Sequence, residues 1–430
     1  MKKTVWTCLL VPLFALLLAD CASETIIQRG DGTDTHPNRS MPLPTEEEIW
    51  GGSSGQNDPS EPMNTRVNVF RSGDSLYFSW GGDQWFEVWN GQVDGDRVLQ
   101  ARSLCRDPLC LHNSNTCLNV MTQATNAIYR SGNDLYFMAW PDPCHTFVRC
   151  SLDTAETTVL FQSTDPDLYG GRFIGRLGNY IYYFYLRELE TDDKTMQVKQ
   201  VTEVFRYHIP SGENVFLYEG ERSEEMLLAT GKSAELWYLS KSGHLIRSDA
   251  NLHAKSEVSH AKMQTFALAD EQVYYLTRFE SGGSGELRRL DLSTGKDELL
   301  YENATWFAYD CGTLYYSLYD PMEGFAWDVR DTETGKLKPY TITVSNGNRI
   351  FAVEAAKAGS RGTPVTALDG LISDGWVLSS TFTVSHGVFC GCLMRACESE
   401  GRHGALNSVR AVDLESGAAV EITREENYWQ

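Results

Sequence analysis

The chain has 430 residues, with 37 Lys+Arg against 58 Asp+Glu for a formal charge of −21, and 11% of its residues are Phe, Trp or Tyr. A carboxylate surplus of this size argues against the clustered positive surface that nucleic acid, or polybasic docking on anionic lipid, requires. The length suits one large all-β domain or two ordinary domains, enough to bury a real core.

The chain opens on Met1-Lys2-Lys3 and a nearly wholly apolar run from Val5 to Ala19. That run is too short to span a bilayer, so residues 1–20 read as an export signal. Leu18-Ala19-Asp20-Cys21 resembles the bacterial lipoprotein box. The resemblance implies lipidation at Cys21 and anchorage to the outer side of a bacterial cytoplasmic membrane, the only membrane contact expected. Asp20 departs from the Gly, Ala or Ser of that box, so ordinary signal cleavage nearby is the competing reading. Residues 21–64 are rich in Ser, Thr, Gly, Pro, Asn and Asp without apolar periodicity, the composition of a flexible tether with a mean reach of ~35 Å.

From Val67 onward one theme recurs: a Gly/Asp/Asn turn, then a short strand of paired aromatic and aliphatic residues. It stands at Gly73-Asp74-Ser75-Leu76-Tyr77-Phe78, at Gly132-Asn133-Asp134-Leu135-Tyr136-Phe137 and at Gly178-Asn179-Tyr180-Ile181-Tyr182-Tyr183. It returns around Trp237, Tyr274, Tyr315 and, more weakly, Trp376. A second half, an alternating strand running into a polar hairpin, is clearest at Leu287 to Tyr301, with counterparts that include Trp327 to Ile342. Seven four-stranded units predict an all-β fold, a β-propeller over 65–430, because radial packing of small twisted sheets buries both faces of each. Six or eight blades fit the uneven spacing as well, and a β-sandwich is the alternative architecture. The pattern resembles the propeller repeats of bacterial surface proteins and the YWTD-type propellers of lipoprotein receptors.

In such blades the connections after the second and fourth strands share one face. The long segments fall there, including 104–123, 140–145, 188–199, 279–285, 346–364 and 385–407, so that face is expected to carry recognition. Trp85, Trp140, Arg278, Tyr319 and Trp327 are its candidate ligand-binding residues, since aromatic rings with a few polar neighbours suit sugar rings or protein surfaces.

Cys105-Arg-Asp-Pro-Leu-Cys110-Leu-His112-Asn-Ser-Asn-Thr-Cys117 is the most distinctive run. It resembles a segment of uncharacterised propeller lipoproteins from Gram-positive bacteria, which implies no biochemical role. With Cys144, Cys150, Cys390, Cys392 and Cys397 it forms a set of disulfide or metal candidates in or beside the long loops. An exported chain favours disulfides, nearby histidines leave a structural metal open, and free thiols remain a third option. Cys311, alone, is expected to be a buried strand thiol.

Catalytic motifs are wanting. Gly51-Gly52-Ser53-Ser54-Gly55 matches G-x-S-x-G but sits in the expected tether, without the strand-turn-helix context that exposes a nucleophile. No cofactor is expected beyond a structural metal at the Cys/His loops. The sequence therefore points to a non-enzymatic, extracytoplasmic binding module for a glycan, peptide or envelope protein. Two alternatives stay open: a propeller hydrolase or lyase with a carboxylate/His site near the central channel, and a metal-dependent or redox-responsive Cys-loop module.

Overall fold

The computed structural model describes residues 27–28, 42–51 and most of 67–428, with 112–116, 140–145 and 222–228 among the interior stretches left out. The expected signal peptide, Cys21, His112, Trp140 and Cys144 lie outside the described residues, as does the side chain of Trp327.

Among the described residues strands predominate, arranged in four four-stranded sheets, one five-stranded, one seven-stranded and one two-stranded sheet. The first sheet runs Val67–Ser72, Ser75–Trp80, Gln84–Val93, Asp96–Ser103, each strand antiparallel to the last. The second (Tyr129–Ser131 to Thr157–Phe161), third (Leu168–Leu177 to Asn214–Glu221) and fourth (Ala229–Thr230 to Ser256–Ser259) repeat this meander. In the seven-stranded sheet the long strand Asp297–Asp310 does double service. Its first half pairs with Gly285–Asp291 to finish a fifth unit, and its second half pairs with Thr313–Leu318 to begin a sixth. Val377–Ser385 to Ala419–Tyr428 form the last sheet. This serial packing of small antiparallel meanders is a β-propeller type of arrangement.

The doubled aromatics now have a physical reason. Successive strand residues point to opposite faces, and here both faces are covered. In the fourth sheet, Leu236 and Tyr238 share a core cluster with Ile174 and Tyr182 of the third, whereas Trp237 and Leu239 share one with Phe266 and Tyr275 of the fifth. Ala267, Tyr274 and Leu276 then meet Phe307, Leu314 and Tyr316, and Trp306 and Tyr315 meet Phe382 and Phe389 of the last sheet. Leu76 and Phe78 of the first sheet join Val388, Cys390 and Val409 of the last. Tyr77 and Trp85 look the other way, into a cluster reaching Phe147 and Phe205.

Arginines stitch the early sheets together at a repeated place. Arg130 Nε donates to Gly132 O at 2.8 Å and its Nη1 to Tyr77 Oη at 2.7 Å. Arg176 does the same one sheet on, with Nε to Gly178 O at 2.6 Å and Nη1 to Arg130 O at 2.7 Å.

Several expectations are corrected. Trp327 to Ile342 is not the outer half of the sixth unit. Met322–Arg330 and Leu337–Val344 form a separate hairpin, and Thr313–Leu318 pairs instead with Phe351–Glu354, inside the segment read as a long loop. Residues 385–407 are likewise no loop, because Val388–Ser399 and Arg402–Asp413 pair along their whole length. The same holds for much of 188–199, where Glu188 pairs with Gln200 and Asp192 with Gln197. Polar residues in a long hairpin between two inner strands satisfy their backbone as well as apolar ones do, so polarity alone misread these strands as loops.

Part of the expected tether is docked. Thr45 caps the helix Glu46–Trp50 in a capping box, Ile49 is fully buried, and Asn179 Nδ2 donates to Glu48 O and Gly51 O at 3.1 and 2.8 Å. Cys311, expected in a core strand, is exposed in the turn Asp310-Cys311-Gly312-Thr313. Its φ of 45° precedes Gly312 at 87°, a two-residue hairpin turn that favours Asn-Gly. Cys311→Asn should therefore raise stability by ~0.5–1 kcal/mol, read as a higher denaturant midpoint at unchanged slope.

Candidate functional site

Two constellations use the residues nominated above. The first lies in the excursion between the first and second sheets. Leu104, Cys117, Leu118, Ala127 and Ile128 bury its two ends, and Cys105 N–H donates to the buried Asn119 Oδ1 at 2.9 Å. Thr122 Oγ1 closes the short helix Leu118–Met121 on Leu118 O at 2.9 Å. Between these anchors the tip reaches solvent, with Leu109 and Leu111 exposed. This folding back brings the sulfurs of Cys105, Cys110 and Cys117 within 4.8 Å of one another. Three sulfurs at that separation can form one disulfide with a thiol beside it, or converge on a thiophilic metal after small rotations.

The remaining described cysteines do not join them. Cys150 lies on the strand Thr146–Ser151 and is buried, which pushes its thiol pKa up. Cys390 and Cys392 are buried on Val388–Ser399, Cys390 in the core shared by the first and last sheets, and Cys397 follows half-buried on the same strand. Cys390, Cys392 and Cys397 were expected in a long loop and occupy strand positions because 385–407 is sheet, whereas Cys150 lies in the strand that follows the segment 140–145.

The second constellation is a cavity of about 1070 Å³ at one end of the fifth unit, where the second strand ends and the fourth bends toward the sixth. Arg278 and Phe279 follow the strand Gln272–Thr277, Glu286 and Arg288 come from Gly285–Asp291, and Glu302 and Asn303 from the bend in Asp297–Asp310. Its floor is fixed. Tyr275 Oη donates to Asp297 Oδ2 at 2.6 Å, while Arg288 donates to Asp297 Oδ1 at 3.1 Å and to Glu286 Oε2 at 2.7 Å. Burial, then the bond to Asp297, pushes the Tyr275 phenol well above its ordinary value. Burial alone would lower Arg288, but its two carboxylate bonds outweigh that and hold the guanidinium charged.

Of the nominated ligand residues, Arg278 is exposed and lines this cavity. Tyr319, 41% exposed, adjoins it through its N–H to Asn303 O at 2.6 Å. Trp85 is corrected: at 1% exposure it is a core residue facing the second sheet, not part of a recognition face. Trp327 is in the separate hairpin, opposite Tyr340. Sequence reasoning missed Lys262, Tyr275 and Glu302 as partners of Arg278. The bulges in Asp297–Asp310, one of them at Asn303 with a φ of 56°, turn Glu302 and Asn303 toward the cavity.

No protein-family model matches the chain, and no curated protein matches it. Among solved structures it resembles a puromycin-hydrolyzing peptidase of Mycobacterium tuberculosis (TM-score 0.41, 12% identity, 87% of this chain and 55% of that one). It also resembles an oligogalacturonate lyase of Vibrio parahaemolyticus (0.41, 9%, 79% and 92%) and a chain of the nidogen/laminin complex (0.34, 10%, 68% and 94%). The chain spans about half the length of the peptidase. Likeness at this level assigns no activity.

Proposed function

We propose that the chain is a seven-bladed, ring-closed propeller that acts as a non-enzymatic recognition module outside a bacterial cytoplasmic membrane, held there through a lipid on Cys21. Ring closure is supported by the core shared between the first and last sheets and by Val67–Ser72 lying beside both Tyr129–Ser131 and Val377–Ser385. The cavity at the fifth unit is the recognition site for a glycan or peptide.

The observation that carries this reading is the composition of the cavity wall. Lys262, Arg278 and Arg288 balance Glu286, Asp297 and Glu302 in a chain of net charge −21, with Phe279 beside them. A charge-balanced wall with donors, acceptors and one aromatic ring suits the hydroxyls of a sugar or the backbone of a peptide better than a polyanion. Among the described residues lining it there is no histidine or cysteine, and the Tyr275 phenol is shifted away from the range useful for proton transfer near neutral pH.

The test is a glycan and peptide array on the soluble body, with Arg278→Ala and Phe279→Ala alongside. Each variant should weaken binding of the captured ligand about tenfold or more while leaving the melting temperature in place. Equal binding by both variants would remove the cavity from consideration, and turnover of the captured ligand would replace recognition by catalysis. Repeating the array after chelation and after reduction addresses a second reading, favoured by the three gathered sulfurs, in which Cys105, Cys110 and Cys117 make recognition metal- or redox-responsive. Binding that survives both treatments reduces that cluster to a staple of its loop.

A further inference from the structure

The outer hairpin of the fourth sheet carries a cluster that neither the cavity nor the cysteines use. Leu245–Asp249 pairs with the edge strand Ser256–Ser259, and the register slips between Leu245↔Ser259 and Ile246↔Glu257. Val258 is therefore the extra residue of a bulge. In a regular strand Glu257 and His260, three apart, would point to opposite faces. The bulge, and the chain leaving the strand after Ser259, turn both toward His244, which stands just before the neighbouring strand. One carboxylate oxygen, Glu257 Oε1, then lies 2.9 Å from His244 Nδ1 and 2.5 Å from His260 Nδ1. All three donor atoms lie within 4.8 Å of one another, with the two rings nearly perpendicular at a centroid distance of 5.9 Å.

We propose that His244, Glu257 and His260 form a binding site for a divalent transition metal, with zinc as the best fit. Two imidazole nitrogens and one carboxylate oxygen are the donor set of three-ligand zinc sites, which leave a fourth position open. Metal–donor distances of about 2.0–2.2 Å in a tetrahedral shell would separate the donors by roughly 3.3–3.5 Å. The present spacings require Glu257 to withdraw from the imidazoles by less than ~1 Å. The side chains permit it: His260 is 90% exposed and free to swing, whereas His244, at 26%, is seated beside the fully buried Leu245 and fixes one corner. Ser240 secures that corner, accepting from His244 N–H at 3.1 Å on its hydroxyl and donating its own N–H to His244 O at 2.9 Å. His260 stands one residue before Ala261 and Lys262, which line the cavity, so the cluster adjoins the cavity along the chain.

The full chain carrying Cys105→Ser and Cys110→Ser, which removes two of the three gathered sulfurs, should bind one equivalent of Zn²⁺ in a calorimetric titration. With Co²⁺ it should give a tetrahedral or five-coordinate visible spectrum without a sulfur charge-transfer band. His244→Ala and His260→Ala should each weaken binding at least about tenfold, and the double variant should abolish it. In the unsubstituted protein, Zn²⁺ should move the ring signals of two of the nine histidines. Unchanged stoichiometry and affinity in the double variant, or ring shifts spread over other histidines, would overturn the assignment.

Discussion

Glu87→Ala should cost about 2–3 kcal/mol of unfolding free energy, and the isosteric Glu87→Gln about half of that. Glu87 is buried in the first sheet and accepts from Ser75 Oγ and Tyr77 Oη, both at 2.9 Å, and from Arg102 Nε at 2.7 Å. Removing the carboxylate takes away the oxygen to which the buried Tyr77 hydroxyl donates, while Arg130 goes on donating to that hydroxyl. Because Arg102 is 42% exposed, water recovers part of its loss, which keeps the expected cost below that of a fully buried ion pair. Burial alone would raise the Glu87 pKa, yet the hydrogen bonds from Arg102, Ser75 and Tyr77 outweigh it and hold the carboxyl below its ordinary value. A depressed folded-state pKa means this stabilisation is complete above the unfolded value of roughly 4.3 and fades as pH falls through the folded one. The wild type should therefore lose stability faster than Glu87→Gln below about pH 4. Parallel pH profiles in urea titrations would contradict the role given to Glu87.

Gly178→Ala should undock residues 42–51 and cost roughly 3 kcal/mol. Gly178 has a φ of 56°, and a Cβ there would stand 2.0 Å from the Ile49 carbonyl oxygen, a contact that only displacement of the helix can relieve. The loss combines about 2 kcal/mol of Ile49 burial with the backbone strain of a non-glycine at positive φ. It also breaks the bond from Asn179 N–H to Ile49 O at 2.8 Å. Limited proteolysis is the readout, since 42–51 should become cleavable in Gly178→Ala while the sheets stay resistant. Ile49→Ala provides a matched control, loosening the same segment by ~2–4 kcal/mol with the glycine intact. Protection of 42–51 in both variants would show that the segment owes nothing to this contact.

The aromatic doublets made the sheets legible, because a residue pair such as Tyr274-Tyr275 is needed only where both faces of a strand are buried. The arginines of the turns were equally readable: Arg71-Ser-Gly-Asp, Arg130-Ser-Gly-Asn and Arg176-Leu-Gly-Asn repeat the residue two places before the glycine. Thr45-Glu-Glu-Glu48 ahead of Ile49 was a helix start within a stretch whose composition argued for a tether, and a local capping signal outweighed bulk polarity. What the sequence could not disclose depends on irregularities of register. Glu302 reaches the cavity through a bulge, Glu257 and His260 share a side through another, and the hairpin from Met322 to Val344 interrupts a sheet whose pairing resumes beyond it. Such slips shift which side chains are neighbours without changing composition or period.

Asp297–Asp310 belongs to two sheets at once, and this bears on the recognition site proposed at its bend. Asp297, Glu302 and Asn303 are borne by a single ribbon whose far half is hydrogen-bonded into the next unit. A hinge at that wall would have to tear one ladder or drag its neighbour along, so the wall is stiff and the pocket ready-made. For the proposed recognition site, this would place selectivity in the shape offered before encounter, with adjustment left to Arg278 and Phe279 across the cavity.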